Sequence, residues 1–190
     1  MEELHAPIRV CPRCRLCQTR THAVPGIGTS RAEVVFVGEG PGRTEDREGR
    51  PFVGRAGQFL DEMLAAIGLR RGDVYITNIV KCRPTAGDPP YGNRAPRPDE
   101  ISACAPWLEA QLAAIRPRLV CALGRVPTGY FLPGAKLSKV RGRLQHRGDL
   151  PVLPLFHPAV ALYRQDKRAV LMSDFRKIVR ILDDLRKRDR

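Results

Sequence analysis

The feature that most constrains the fold is a short apolar run, Val34–Val37, that ends at a glycine-rich turn. A β-branched and aromatic run bounded by glycine is typical of a strand buried on both faces. Beyond the turn, apolar residues recur at helical spacing from Phe59 to Ile67, and Gly68 is a typical stop. The sequence therefore predicts a strand, a glycine loop and a helix in succession.

The glycine loop matches neither common phosphate-binding motif. Arg43 occupies the last position of a would-be G-x-G-x-x-G, and no Gly-Lys-Ser/Thr follows. Gly38, Gly40 and Gly42 would let a ligand approach the backbone closely, but a tight structural turn is the simpler explanation of glycine content alone.

Three further apolar runs predict strands at Val74–Val80, Leu119–Leu123 and Val152–Phe156. Helical patterns or long crossing segments separate them, among them Pro98–Ile115, whose first residues suit a first helical turn. Strands that alternate with helices imply a parallel sheet with helices on both faces. We therefore expect an α/β fold with three layers, α/β/α, around a central four-stranded parallel sheet, in one domain over residues 1–190.

The charge balance points to a polyanionic partner. Lysine and arginine number 33 against 20 aspartate and glutamate, a formal net charge of +13. Nucleic acid is favoured over an acidic membrane surface, and solvated surface charge is the alternative. No apolar stretch is long enough to span a bilayer, so we expect a soluble intracellular protein.

The cysteines suggest a metal or an iron–sulfur site. Cys11, Cys14 and Cys17 form two overlapping C-x-x-C units, which gain weight from the cysteines downstream, although buried free thiols are the alternative. Cys104 stands near a predicted helix N-terminus, where the helix dipole favours a thiolate, but its place in an apolar stripe also fits a core residue. Cys121 lies inside a predicted buried strand and is interpreted as core.

Polar side chains mark the carboxyl ends of the predicted strands, where open parallel sheets bind ligands. Glu39 follows the first strand, Asn78 stands near the end of the second and His157 follows the fourth. Each alone has a structural explanation, but three at one edge favour a site. Together with the nearby Phe52 ring they fit a planar heterocycle with an imide edge, bound as extruded bases are.

Seven short motifs follow one another along the chain. They are Cys11-x-x-Cys14, Gly38-Glu-Gly-Pro-Gly42, Glu45-Asp46, Gly49-x-Pro-Phe-Val-Gly54 with Ala56-Gly57, Thr77-Asn-Ile-Val-Lys-Cys-Arg-Pro84, Asn93-Arg-Ala-Pro96 and Phe156-His-Pro-Ala159. In their content and order the sequence resembles the family 4, iron–sulfur-containing uracil-DNA glycosylases of bacteria and archaea. The resemblance covers nearly the whole chain, and the order of the motifs is highly specific.

The resemblance implies that Cys11, Cys14, Cys82 and Cys104 ligate a [4Fe–4S] cluster. Cys17 is then spare, whereas spacing alone suggested that the three local cysteines act together. The segment from Thr85 to Gly92 makes the connection between Cys82 and Cys104 longer than in the plain family. A relative that bonds covalently to DNA also has an insertion here, but its basic, His-containing motif is absent, so we expect ordinary turnover.

The resemblance also implies roles in the pocket. Phe52 would stack on a flipped uracil, Asn78 would read its imide edge and Glu45 would crowd the C5 position and reject thymine. His157 would bond uracil O2 as the leaving anion forms. The backbone that lines the pocket would come from Gly38, Glu39 and Gly40.

The implied reaction is hydrolysis of the C1′–N1 glycosidic bond, which leaves an abasic site. Other uracil glycosylases carry Asp and Tyr where this chain has Gly40 and Gly42, so the water-orienting carboxylate is missing from its usual place. Glu39 could substitute, or the mechanism could depend on His157 and on the DNA phosphates near the sugar cation. A noncatalytic iron–sulfur protein that binds nucleic acid is the alternative function.

The implied partner is uracil-containing DNA, single- or double-stranded, bound by a monomer in the prokaryotic cytosol or nucleoid. After His157, the segment Ala159–Arg164 resembles the loop that enters the minor groove, with Leu162 and Tyr163 as wedges and Arg164 on a phosphate. A helix face packed on the core is the alternative for the two apolar residues. Further phosphate-contact candidates are Lys139, Arg141 and Arg143.

Overall fold

The computed structural model describes residues 1–87 and 92–188. The strands are β1 (Ile27–Gly28), β2 (Val34–Gly38), β3 (Tyr75–Asn78), β4 (Thr85–Ala86), β5 (Gly92–Asn93), β6 (Leu119–Leu123), β7 (Gln145–Arg147) and β8 (Leu150–Leu155). The helices are α1 (Glu2–Arg9), α2 (Arg43–Glu48), α3 (Arg55–Ala65), α4 (Pro98–Ile115), α5 (Arg125–Phe131), α6 (Leu137–Val140), α7 (Val160–Tyr163) and α8 (Asp166–Arg188), and a 3₁₀ turn spans Arg15–Gln18.

The main sheet has the strand order β1-β3-β2-β6-β8-β7. The four central strands are parallel, as the sequence predicts, whereas β1 and β7 pair antiparallel at the two edges. The prediction of a four-stranded sheet is therefore wrong in strand number, because the sheet has six. The edge strands Ile27–Gly28 and Gln145–Arg147 are too short to produce an apolar periodicity.

Alternate side chains of the sheet enter two hydrophobic cores, one on each face. Phe36 packs with residues of α3 and α8 on one face. Val35 packs with residues of α1 and α4 on the other. Helices therefore cover both faces of the sheet, and the predicted three-layer α/β/α architecture is confirmed.

The strand register brings the predicted site residues to one edge of the sheet. Gly38, the last residue of β2, pairs with Asn78, the last residue of β3. On the other side of β2, β6 and β8 end level with each other, at Leu123 and Leu155. Glu39 directly follows the end of β2, and His157 lies two residues after the end of β8.

Two remaining predictions concern the segment from Thr85 to Gly92 and the membrane. The flanks of the segment pair as β4 and β5, while residues 88–91 lie outside the described residues.

In the part of the chain that the structure describes, no helix combines the length and the apolar character needed to cross a bilayer.

Candidate active site

A cavity of about 560 Å³ opens at the carboxyl ends of the central strands. It is lined by residues from the glycine loop, from α2 and α3, from the end of β3, and from the segment that follows β8. The predicted site residues among them are Glu39, Gly40, Glu45, Phe52, Asn78, His157, Leu162 and Tyr163. The structure thus brings together almost the whole predicted pocket.

Gly38 lies against two pocket side chains and leaves room for them. A Cβ atom at this position would come within 2.4 Å of Asn78 Oδ1 and 2.7 Å of Phe52 Cζ. The Asn78 side chain is nearly buried and lines the cavity. Any side chain at position 38 would therefore displace the amide that the sequence predicts to read the base.

Phe52 occupies a strained backbone conformation that the surrounding loop supports. Its φ of +51° lies in the left-handed region, which a bulky residue rarely adopts. Nη2 of Arg71 donates to the Phe52 carbonyl oxygen. A Cβ atom on Gly57 would lie 1.8 Å from the same oxygen, so α3 approaches the loop this closely only because residue 57 is glycine. The Phe52 ring stacks against His157, with centroids 5.5 Å apart.

Glu45, at the start of α2, holds the loop that carries Phe52. Its Oε1 accepts hydrogen bonds from the backbone N–H groups of Val53 (3.0 Å) and Gly54 (2.8 Å). The carboxylate also lines the cavity, and its charge acts on His157. Glu45 therefore has a clear role in the conformation of the loop, in addition to the steric role that the resemblance implies.

The backbone selects the tautomer of His157. The N–H of Ala159 donates to Nδ1 at 3.1 Å, which assigns the imidazole hydrogen of the neutral ring to Nε2. Burial lowers the pKa of His157 to about 4, although the nearby Glu45 carboxylate raises it in part. At neutral pH the ring is therefore uncharged, and Nε2–H is its hydrogen-bond donor.

Glu39 lines the same cavity, next to the end of β2. Burial raises the pKa of its carboxyl group, and the positive charge of Arg125 partly opposes this. The carboxylate is thus placed in a partly desolvated environment, where a negative charge interacts strongly with a developing positive charge.

A second cavity lies on the face of the sheet that α1 and α4 cover. It is lined by four of the six cysteines: Cys11, Cys14, Cys82 and Cys104. Three of their sulfurs accept N–H donors at 3.2 Å, from Trp107 Nε1 to Cys11, from Arg20 Nη1 to Cys82 and from Lys81 N to Cys104. Such donors stabilise thiolate ligands and tune iron–sulfur clusters.

Cys17 does not line this cavity, and Cys121 is fully buried in β6. Among residues 1–87 and 92–188, no group of three or more His, Cys, Asp or Glu side chains has the arrangement of a single-ion site. Each cysteine of a [4Fe–4S] cluster binds a different iron, so its four sulfurs surround a volume rather than one point. The donor set of the cavity fits a cluster.

Comparisons with known proteins agree with this geometry. Residues 25–186 match the family model described as the uracil DNA glycosylase superfamily. The type-4 uracil-DNA glycosylase of Archaeoglobus fulgidus is 44% identical over 187 residues, which cover 94% of this chain and 91% of the relative. The type-4 enzyme of Sulfurisphaera tokodaii is 44% identical, covering 94% and 83%, and that of Thermotoga maritima is 43% identical, covering 93% and 92%.

The chain belongs to the type-4 uracil-DNA glycosylase family. This confirms the resemblance that the motifs suggested, and it disfavours a noncatalytic iron–sulfur protein.

In this member of the type-4 family, the segment after His157 forms the mouth of the pocket. Leu162 and Tyr163 line the cavity, and the Tyr163 side chain is 86% exposed, whereas Ala161 faces the core. The alternative that Tyr163 packs on the core is therefore wrong. Arg164 is exposed and pairs with Asp166 at 3.0 Å.

The predicted phosphate contacts at Lys139, Arg141 and Arg143 are not among the residues that line the cavity. Lys139 and Arg143 are exposed. Arg141 pairs with the nearly buried Asp174, and its guanidinium lies over the Phe156 ring at 4.9 Å. Because Arg141 has these intramolecular contacts, it is a weaker candidate for DNA contact than its two exposed neighbours.

Sequence reasoning assigned no role to several residues of the pocket wall. Asn93 and Arg94 line the cavity, where Asn93 Oδ1 accepts a hydrogen bond from Arg83 Nε at 2.7 Å. Arg94 donates to both carboxylate oxygens of Glu100, at 2.7 and 2.6 Å. The available signal was the motif Asn93-Arg-Ala-Pro96, which contributed to the family resemblance. The lining also includes Arg43, Thr44 and Arg55.

Proposed function

We propose that this protein is a monofunctional uracil-DNA glycosylase of base excision repair. It hydrolyses the N-glycosidic bond of a uracil flipped out of single- or double-stranded DNA and leaves an abasic site. The observation that carries the proposal is the hydrogen bond from Ala159 N–H to His157 Nδ1, which leaves Nε2–H as the donor of the neutral ring in a pocket that also contains the Phe52 ring and the Asn78 amide.

Recognition of the base uses three side chains. The Phe52 ring offers a face on which a flipped base stacks. The Asn78 amide has both a donor and an acceptor, which match the O4 and N3–H of the uracil imide edge. Glu45 stands at the side of the pocket where a C5 methyl group would lie, so thymine is rejected by steric contact.

Catalysis depends on stabilising uracil as a leaving anion. Negative charge develops on O2 as the C1′–N1 bond breaks, and His157 Nε2–H donates a hydrogen bond to it. A preorganised donor of this kind contributes on the order of a hundredfold or more to the rate. Glu39 lines the same pocket, and its carboxylate stabilises the oxocarbenium-like sugar and orients the water that adds to C1′. As the new C1′–O bond forms, the water gives its proton to the Glu39 carboxylate, which then passes it to solvent, while the C1′–N1 electron pair leaves with the uracil anion.

We also propose that Cys11, Cys14, Cys82 and Cys104 hold a [4Fe–4S] cluster. The shared cavity and the three N–H donors to sulfur support this assignment. When bound, the cluster supplies four metal–thiolate cross-links between the N-terminal segment, the segment after β3 and α4. Cys17 is not a ligand in this proposal.

The DNA is held by the mouth of the pocket and by basic side chains around it. The exposed Tyr163 and its neighbour Leu162 fill the space left by the flipped nucleotide. Arg164, Lys139 and Arg143 bind phosphates, and the net charge of +13 supports association with a polyanion. The enzyme acts as a monomer in the prokaryotic cytosol or nucleoid.

The proposal is tested by incubating the purified protein with an oligonucleotide that contains one uracil, followed by alkali to cleave abasic sites. We expect cleavage at uracil in both single strands and duplexes, and none in matched strands with cytosine or thymine. Binding of the uracil oligonucleotide without any cleavage, by protein whose visible absorbance shows an intact cluster, would contradict the enzyme assignment.

A further inference from the structure

Lys81 is a fully buried lysine whose Nζ donates to three uncharged oxygens of the described residues. Its side chain is 1% exposed. Nζ donates to Thr77 Oγ1 at 2.6 Å, to Gln111 Oε1 at 2.7 Å and to the carbonyl oxygen of Asn78 at 2.8 Å. Burial of an amino group, charged or neutral, costs free energy that an apolar side chain would not cost. This position therefore calls for an explanation beyond packing.

The carbonyl group of Asn78 lies where the sheet provides no strand partner. Ile79 N–H donates to Gly38 O on β2, so the carbonyl of the preceding residue, Asn78, points toward the opposite side of β3. On that side β1 pairs only with Tyr75 and Ile76. The ammonium group of Lys81 occupies the place of the absent strand and binds this carbonyl.

The other two acceptors of Lys81 are themselves held by further hydrogen bonds. Thr77 Oγ1 donates to the carbonyl oxygen of Pro25 at 2.7 Å. Gln111 Nε2 donates to the same oxygen at 2.9 Å and to Tyr75 Oη at 3.0 Å, which turns Oε1 toward Lys81. The ammonium group is therefore fixed at three points, and through it the backbone of Asn78 is fixed relative to the core.

We propose that Lys81 is a positioning residue for base recognition: it holds the backbone of Asn78 so that the amide meets the imide edge of the base. This inference rests on the proposed function. The same residue also contacts the cysteine cavity, because its backbone N–H donates to Cys104 Sγ. Lys81 thus lines the cysteine cavity, and its Nζ binds the backbone carbonyl oxygen of Asn78, whose side chain lines the base pocket.

The test compares Lys81→Met with Lys187→Met in the full-length protein with its cluster. Met fills much of the same space as Lys81 and keeps the backbone N–H to Cys104, whereas Lys187→Met makes the same substitution at an exposed lysine of α8 that lines neither cavity. Because small errors in the position of a reacting or binding group cost up to about a hundredfold in rate, we expect Lys81→Met to slow single-turnover excision about 10- to 100-fold. Its affinity for free uracil should fall as well, and Lys187→Met should stay within about twofold.

A double-mutant cycle separates positioning from a general structural effect. If Lys81 acts through Asn78, the double variant of Lys81→Met and Asn78→Ala excises uracil no more slowly than Asn78→Ala alone. Rate losses that multiply, or a Lys81→Met rate equal to the wild-type rate, would overturn the inference. A wild-type protein that leaves uracil intact would instead contradict the proposed function itself.

A second pair of variants covers the case in which Lys81→Met does not fold. Thr77→Val removes one acceptor of the ammonium group at nearly constant volume, while Thr77→Ser keeps the hydroxyl group. We expect weaker binding of free uracil for Thr77→Val, and wild-type binding for Thr77→Ser. Equal affinities of the two variants, with intact visible absorbance of the cluster, would contradict the role of Lys81.

Discussion

His157 is held in one tautomer by a backbone hydrogen bond, and this determines what the residue does. Because Nδ1 accepts the N–H of Ala159, the hydrogen of the neutral ring lies on Nε2. A neutral imidazole is too weak an acid to transfer this proton, so Nε2–H acts as a hydrogen-bond donor. Burial keeps the ring neutral by lowering its pKa to about 4. In the proposed mechanism the side chain therefore stabilises negative charge by hydrogen bonding rather than as a cation.

Replacement of His157 by Ala should lower the single-turnover rate of uracil excision by about a hundredfold or more, because the donor to O2 is lost. Affinity for the uracil oligonucleotide should change little. The control is His146→Ala, since His146 is exposed and stands outside the cavity lining. An unchanged excision rate for His157→Ala would remove this residue from the catalytic group.

The lowered pKa of His157 also predicts a pH dependence of stability. The unfolded chain protonates this histidine below about pH 6.5, whereas the folded protein resists protonation until about pH 4. The stability contributed by the neutral ring is thus present above pH 6.5 and is lost as the pH falls from 6.5 toward 4. Melting temperatures of the wild type and of His157→Gln should therefore converge or cross over this range. A difference independent of pH would contradict the assignment.

Glu45 should affect both selectivity and rate, because its carboxylate touches the pocket and the loop that carries Phe52. Glu45→Ala removes the acceptor for Val53 and Gly54 N–H groups as well as bulk near C5. We expect measurable excision of thymine and a uracil rate reduced about tenfold or more by the loosened loop. Glu45→Gln keeps an acceptor oxygen and serves as the control. Continued rejection of thymine by Glu45→Ala would refute the steric role.

At the scale of single residues, the positions of the pocket side chains could be predicted, whereas their conformations could not. The rule that ligands bind at the carboxyl ends of parallel strands was sufficient to bring Glu39, Asn78 and His157 together. The positive φ of Phe52 and the tautomer of His157 depend on Arg71 and on the backbone of Ala159 in the folded chain. Composition and periodicity carry no signal for either.

Among the structural elements, α4 and β6 begin and end where the sequence predicts. Pro98 opens α4, and Glu100 accepts the N–H of Arg97 at 2.8 Å, so local chemistry marks the helix start. The predicted strand Val74–Val80 is longer than β3, which ends at Asn78. An apolar run in one segment does not show where its partner strand ends. The last residue of β3 that pairs with β2 is Asn78, opposite Gly38, so β3 ends there although the apolar run continues.

The contact between α3 and the Phe52 loop yields a prediction at this scale. Gly57→Ala would place a Cβ atom against the Phe52 carbonyl oxygen, so the helix and loop must separate. We expect a loss of about 1–3 kcal/mol in unfolding free energy and slower excision of uracil. Gly129→Ala is the matched control, because Gly129 lies in α5 with open space around it and should gain up to about 1 kcal/mol. Equal stabilities for the two variants would contradict the close approach.

Over the whole molecule, the cysteine cavity joins segments that are distant in sequence. The sheet and α4 bring residues 11 to 14 together with residues 82 and 104 in the folded chain. The spacing of Cys11, Cys14 and Cys17 favoured a local set, and the family resemblance was needed to select Cys82 and Cys104. Spacing alone does not bring Cys82 and Cys104 beside Cys11 and Cys14, because tertiary structure, not sequence separation, decides which sulfurs line one cavity.

The proposed cluster should therefore contribute to global stability, because it would cross-link three segments of the chain. Cys104→Ser should lose the visible absorbance and most of the bound iron, and it should melt at a clearly lower temperature than the wild type. Cys17→Ser should retain the absorbance, the iron and the melting temperature, because Cys17 stands outside the cavity. Chelation of iron from the wild type should reproduce the thermal destabilisation of Cys104→Ser but leave that variant unchanged. Loss of iron from Cys17→Ser, together with its retention in Cys104→Ser, would reverse the ligand assignment and return it to the local cysteines.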